Sequence, residues 1–189
     1  MGNSREQFIE TTCELIEAQG FHATGLNQII KESGAPKGSL YYHFPEGKEE
    51  LVEEAIERTG RSVSERITVN LDLTPDPAKA VRDFVRRIAD NVETSGYRSG
   101  GPLMTVAMET ATTSERINLA CRNAYRGLQM AFDRKLHTSG FSEERSAELA
   151  QFIVAAIEGG IILSRTNHTG DPLRSVAAEL QRVIQNELA

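Results

Sequence analysis

Tryptophan is absent, and only 6% of the 189 residues are aromatic. Stretches that alternate apolar and polar residues with β-branched enrichment are nearly missing too, which argues against a sheet. No apolar run approaches the length of a membrane span, and the N-terminus is acidic and polar rather than a signal sequence. The two cysteines, Cys13 and Cys121, lie far apart inside helical patterns, so they read as buried small hydrophobes rather than as a disulfide or a metal site. Nor is there an excess of positive charge: 21 Lys and Arg against 27 Asp and Glu leave a net charge of −6. This argues against a generic polyanion binder. What is abundant is Ala, Glu, Leu, Ile and Arg, the composition of an all-α cytoplasmic protein long enough to bury a real core.

Chemistry-bearing motifs are equally scarce. His22, His43, His137 and His168 do not cluster at metal-ligand spacing. GAPKGS lacks the spacing of a phosphate-cradling loop and no strand precedes it, and no nucleophile motif is present. The sequence points away from an enzyme and calls for no cofactor and no metal.

One stretch is informative: Thr24 to Lys48, TGLNQIIKESGAPKGSLYYHFPEGK. It reads as a short helix over Leu26 to Ser33, with Thr24 as its cap, a reversal at Gly34, and a second helix over Lys37 to His43. Glycine suits the reversal because it takes positive φ without steric cost. Pro36 suits a helix start. Leu40 and Phe44, four apart, make the buried stripe, and the outward residues are small or polar with hydrogen-bonding tips. This is a helix-turn-helix whose second helix fits a DNA major groove.

GAPKGSLYYHFPEGKEEL resembles the DNA-binding signature of the TetR family of bacterial repressors: a turn glycine, a small apolar residue, K-G-(S/T)-L-Y-x-(H/Y)-F, then a lysine and a long helix. The match spans residues 4 to 55. PEGKEE carries one residue more than the usual junction. Together with HATGLNQI upstream, this longer junction is similar to the LmrA/YxaF-like subgroup, whose members repress multidrug- or flavonoid-responsive genes. The resemblance implies a homodimer on a (pseudo)palindromic operator and a pocket for a small hydrophobic or aromatic effector.

The candidate DNA contacts are Thr24, Asn27, Lys37, Gly38, Ser39, Tyr41, Tyr42, His43 and Lys48. Lys37 can reach a guanine edge or a phosphate; Asn27 can pair with adenine or position a phosphate. Tyrosine and histidine tips suit phosphate oxygens, and one tyrosine of the pair can instead belong to the core. Gly38 permits close backbone approach. Thr24 and Lys48 are phosphate candidates. Against this stands the acidity of the first 48 residues, where Arg5, Lys31, Lys37 and Lys48 face six glutamates. Only the groove-facing surface must be positive, and helix N-termini add to it. The competing reading is a helical ligand-binding or adaptor protein that no longer binds DNA.

Upstream, Ser4 to Gln7 fits a capping box, and Gly20 stops the first helix. Downstream, helical periodicity recurs over about 46–68, with a bend or break expected near Gly60. It recurs over 77–94 behind Asp76 and Pro77, over 102–110, from Thr113 or Ser114 to 137, from Ser142 to 166, and from Asp171 to the end. A head over 1–48 and an effector-binding and dimerisation domain over 49–189 follow. Effector contacts are expected from Phe84, Ile88, Met104, Met108, Tyr125, Leu128, Phe132 and Glu158. The stripe of the penultimate helix is too broad for one buried side. Ala155, Gly159 and Ile162, with Val176, Leu180 and Val183 of the last helix, are expected in a four-helix dimer interface.

Overall fold

A computed structural model describes residues 3–188, and among these every regular element is a helix. In chain order they are α1 (Ser4–Ala23), α2 (Leu26–Ser33), α3 (Lys37–His43), α4 (Lys48–Asp72), α5 (Pro77–Thr94), α6 (Met104–Thr110), α7 (Glu115–Thr138), α8 (Glu143–Asn167) and α9 (Asp171–Leu188). Contacts group them into two compact units. One holds the chain up to Arg61 with Gly101–Tyr125; the other holds Ser62–Gly100 with the chain from Arg126 onward. Helices α4 and α7 thus run from one unit into the other. The expected division after residue 48 followed the motif; the contacts instead place α6 and the first half of α7 with the helix-turn-helix.

In the first unit α1 packs against α2, α3 and α6. Phe8, Ile16, Ile29, Leu40, Phe44, Leu51 and Ile56 are fully enclosed. Each such side chain is worth about 1.5–3 kcal/mol relative to exposure. Phe8 meets Phe44 edge to face at 6.4 Å, so the residue that closes the recognition helix is bolted to the first helix. Two start signals are corrected. The cap of α1 is Asn3, whose side chain accepts from the Arg5 N–H; Ser4 already lies in the first turn and forms no capping box with Gln7. Thr24 does not cap α2. It is buried, and its hydroxyl donates to the Gly20 carbonyl at 2.6 Å, while Gly25 occupies the cap position. Gly20 interrupts α1 (φ 81°) without ending it, and one more turn runs to Ala23.

Helix α4 passes through Gly60 as one helix and extends to Asp72, into the expected loop. Gly60 answers to packing. A Cβ there would stand 2.7 Å from the Ala124 Cβ on α7. Helix propensity, the basis for expecting a break, yields to that close approach.

In the second unit α5 packs along α9, and α8 packs on both. Asp76 caps α5 by accepting from Ala78 and Lys79, with Pro77 at the first position. Val81, Val85, Ile153, Ile157, Leu173, Ala177, Leu180 and Ile184 form the core. Ser142 caps α8 through the Arg145 N–H. By length and composition alone α8 could cross a membrane, although Glu148 and Glu158 interrupt its apolar residues and no uninterrupted apolar run reaches that length. Its apolar residues divide: Ile153, Ile157 and Ile161 are buried in the unit, whereas Phe152, Ile162 and Leu163 are about half exposed. Cys121 is buried and Cys13 half-buried; both thiols are free, and burial pushes the Cys121 thiol up to about 11.

Candidate nucleic-acid interface

The turn between α2 and α3 is built from local signals. Gly34 sits in the left-handed region at φ 66°, and Pro36 precedes the first residue of α3 with φ −62°. Leu40 and Phe44 are fully buried, which orients the rest of α3 outward. Lys37 and Gly38 are exposed and Ser39 is half-buried, its hydroxyl donating to the Pro36 carbonyl at 2.7 Å. Tyr41 is 51% and Tyr42 81% exposed, so neither tyrosine is core. The Tyr42 ring meets the half-buried His43 edge to face at 5.0 Å. Asn27 is exposed on α2. All seven are exposed or half-buried on α2 and α3, as are Lys31 and Glu32.

Gly38 is informative by contrast with Gly60. Nothing lies within 4 Å of a Cβ built at Gly38, so the packing of this chain does not call for glycine there. A backbone exposed at that point is open to close approach from outside.

Two expected contacts drop out. Thr24 is enclosed and cannot reach a phosphate. Lys48 turns inward: its Nζ donates to the Phe21 carbonyl at 2.6 Å and lies 4.0 Å from the Phe21 ring centroid. Burial pushes this ammonium below the usual lysine value, while the Glu109 carboxylate opposes the shift. A lysine at a motif position therefore serves as an internal strut. Only the fold could reveal that, because the acceptor lies 27 residues upstream.

Part of the acidity of the head is held away from α3. Helix α3 carries no carboxylate. Glu54 pairs with Arg5 and Glu6 with Arg58 between α1 and α4. Arg116 of α7 draws Glu46 and Glu53 together, and both hold its guanidinium above the usual arginine value. Lys37, exposed at the N-terminus of α3, forms no ion pair among the described residues. These paired carboxylates lie off α3, whereas Glu10, Glu14 and Glu32 are exposed, Glu32 on α2 within the helix-turn-helix.

The expected effector residues do not gather in one unit. Met104, Met108 and Tyr125 fall in the first; Phe84, Ile88, Leu128, Phe132 and Glu158 fall in the second. Phe84, Leu128 and Phe132 are core, with the two phenylalanine rings edge to face at 5.9 Å. Met108 is 77% exposed; Ile88, Met104, Tyr125 and Glu158 are half-buried. An open groove of about 710 Å³ in the second unit is lined instead by residues such as Ser64, Thr68, Met130, Asp133, Arg134 and Ser146.

On α8, Phe152, Ala155 and Ile162 are exposed and Gly159 half-buried, all at 3–4 spacing. A Cβ on Gly159 would meet nothing within 4 Å, whereas one on Gly160 would meet Leu173 of α9 at 2.9 Å. Val176 and Val183 are half-buried. Leu180, expected at a dimer seam, is 2% exposed and belongs to the unit's own core.

Comparison with known proteins identifies the family. Residues 8–55 match the family model described as bacterial regulatory proteins, tetR family, and residues 77–179 match the transcriptional regulator LmrA/YxaF-like C-terminal domain. The chain is 41% identical to the HTH-type transcriptional regulator YxaF of Bacillus subtilis over 98% of its own length and 97% of the relative's. It is 39% identical to the HTH-type transcriptional regulator LmrA of the same organism, over 94% of each chain. The fold is also that of Escherichia coli NemR in its reduced form, with a TM-score of 0.84 at 23% identity over 95% of this chain and 97% of that one. With a helix-turn-helix signature at one end, an LmrA/YxaF-like domain over the other, and close relatives along the whole length, the chain belongs to the TetR family of bacterial transcriptional regulators.

Proposed function

We propose that this regulator is a cytoplasmic, ligand-responsive repressor that binds a (pseudo)palindromic operator as a homodimer. The observation that carries the reading is the outward surface of α3: Lys37, an open Gly38, Ser39, Tyr41, Tyr42 and His43 on a helix whose other side is locked by Leu40 and Phe44. Lys37 reads a guanine edge or grips a phosphate, and the tyrosine and histidine tips take phosphate oxygens. Asn27 contributes from α2. The exposed apolar stripe of α8, with Val176 and Val183 of α9, joins two copies, so that two heads meet successive major grooves.

Release follows population shift. A small hydrophobic or aromatic effector binds one arrangement of the dimer better than the other and lowers operator affinity by that difference. Its proposed contacts lie within the second unit, at the half-buried Ile88 and Glu158. The core residues Phe84, Leu128 and Phe132 serve as supporting wall. The groove over Met130 has a volume in the range of small-molecule sites and is a second place to look.

The test is fluorescence anisotropy with the duplex from just upstream of this protein's own gene, over a salt series, for the wild type and Lys37→Ala. Sequence-preferring, salt-sensitive binding that weakens about tenfold or more in the variant is expected. Absence of preference over random duplex, there and in a genome-wide selection of bound fragments, favours a helical ligand-binding protein that no longer reads DNA.

A further inference from the structure

Helix α1 breaks where its regular turns end. At Gly20 the backbone leaves the helical region (φ 81°, ψ −179°), and the last turn runs on to Ala23. Such a break strips main-chain N–H groups of their intrahelical acceptors, and groups of this kind must find others. Two of them find the same atom. The N–H groups of Phe21 and His22 donate to Glu109 Oε2, at 2.7 and 2.9 Å. Glu109 lies on α6, 88 residues downstream of Phe21. Its main-chain carbonyl also lies 3.3 Å from His22 Nε2.

Gly20 is what admits the carboxylate. A Cβ at this position would stand 2.5 Å from Glu109 Oε1 and 2.8 Å from Thr105 Cγ2, and the positive φ disfavours any other residue independently. The Phe21 peptide is held from its other side as well. Its carbonyl accepts from Lys48 Nζ at 2.6 Å. An anion from α6 thus grips the His22 N–H, a cation from the start of α4 grips the C=O of the same Phe21–His22 peptide, and the two charges attract each other. This gripped peptide lies three residues before Thr24, whose buried hydroxyl ties the chain back to Gly20 immediately ahead of α2.

We propose that Glu109 is a positioning residue for operator binding. It touches no DNA. It holds the broken end of α1 and, through the Phe21 peptide, the point where α2 and α4 are anchored, and so sets the angle at which α3 is presented. The assignment rests on the operator-binding reading above. It deepens that reading by making α6, outside the helix-turn-helix sequence, a part of the DNA-reading head.

The test uses the full-length protein and two variants, Glu109→Gln and Glu109→Ala. The glutamine carbonyl retains an acceptor for both N–H groups; alanine retains none. Amide hydrogen exchange at Phe21 and His22, measured without DNA, reads the grip directly. Exchange at least tenfold faster in Glu109→Ala and near wild type in Glu109→Gln is expected. Affinity is then measured for a full two-half-site operator and for a single half-site duplex. A head that folds but points wrongly loses affinity for the full site, about tenfold or more, while the half-site stays within about threefold of wild type. Equal losses on both duplexes, or a full-site affinity unchanged in Glu109→Ala, would overturn the positioning role. Unchanged exchange would overturn the grip itself. If the wild type shows no sequence preference, the operator reading fails and the positioning role with it, while the exchange data still decide whether Glu109 holds α1.

Discussion

The Lys48 ammonium caps the Phe21 carbonyl at 2.6 Å while lying 4.0 Å above the centroid of the same residue's ring. Hydrogen bonding to a cation and attraction to an aromatic face act together on a partly buried group. Replacing Lys48 with Met keeps the apolar stem and removes both. The head is expected to lose about 1 kcal/mol of stability in chemical denaturation, a figure discounted for partial exposure. Operator affinity should fall modestly, with the salt dependence unchanged. A salt slope reduced by about one would instead return Lys48 to the list of phosphate contacts.

Two glycines in neighbouring helices should respond in opposite ways to alanine. At Gly60 the gain in helix propensity, about 1 kcal/mol, competes with a Cβ placed 2.7 Å from the Ala124 Cβ. Overpacking of a rigid neighbour costs about 1–3 kcal/mol, so Gly60→Ala should be net destabilising. At Gly38 there is no neighbour within 4 Å, and Gly38→Ala should leave the melting temperature equal or higher. Its effect should appear on DNA, as weaker operator binding. A Gly38→Ala protein with wild-type affinity would show that the duplex does not approach this backbone.

The carboxylate of Glu93 provides a pH prediction. It accepts a paired contact from Arg174, with 2.9 and 2.6 Å to its two oxygens, and a further bond from the Gly170 N–H at 2.7 Å. The guanidinium first, and the main-chain N–H second, hold the carboxyl down at about 2 against an ordinary 4.5. A carboxyl depressed on folding contributes stability above its unfolded value and loses that contribution as pH falls through the folded one. The stability difference between wild type and Glu93→Gln should therefore be full above pH 4.5 and close as pH falls towards 2. Urea titrations at stepped pH read it directly. A difference that stays constant across that window would mean that the Arg174 contact does not persist in solution.

The exposed stripe on α8 should respond to bulk. Gly159 has open space where a side chain would go, so Gly159→Trp leaves the single chain intact. If two copies meet there, the variant sediments as a monomer while its helix content stays unchanged. A dimer of wild-type stability would move the interface elsewhere.

The limits of α2 and α3 were legible because each is written locally. Gly34 needs positive φ, Pro36 suits a helix entry, and Leu40 and Phe44 recur with the helical period. The start of α5 was legible for the same reason, through Asp76 and Pro77. The outward face of α3 followed from its buried face, since a short helix with one apolar stripe has few ways to turn. These determinants act within about four residues, the range over which a chain's own geometry decides. Tertiary structure decided the rest. Thr24 became a buried strut, Lys48 turned inward to Phe21, Leu180 entered its own core, and the break at Gly20 drew in Glu109. Each of these outcomes depends on which distant backbone or side chain arrives, and partners separated by tens of residues leave no periodic or local trace. The sequence by itself determined that this chain is a helical protein with a DNA-reading motif. Only the packed structure decided which polar residues of that motif face outward and which hold it in place, because burial and hydrogen-bond partnership are properties of the assembled core.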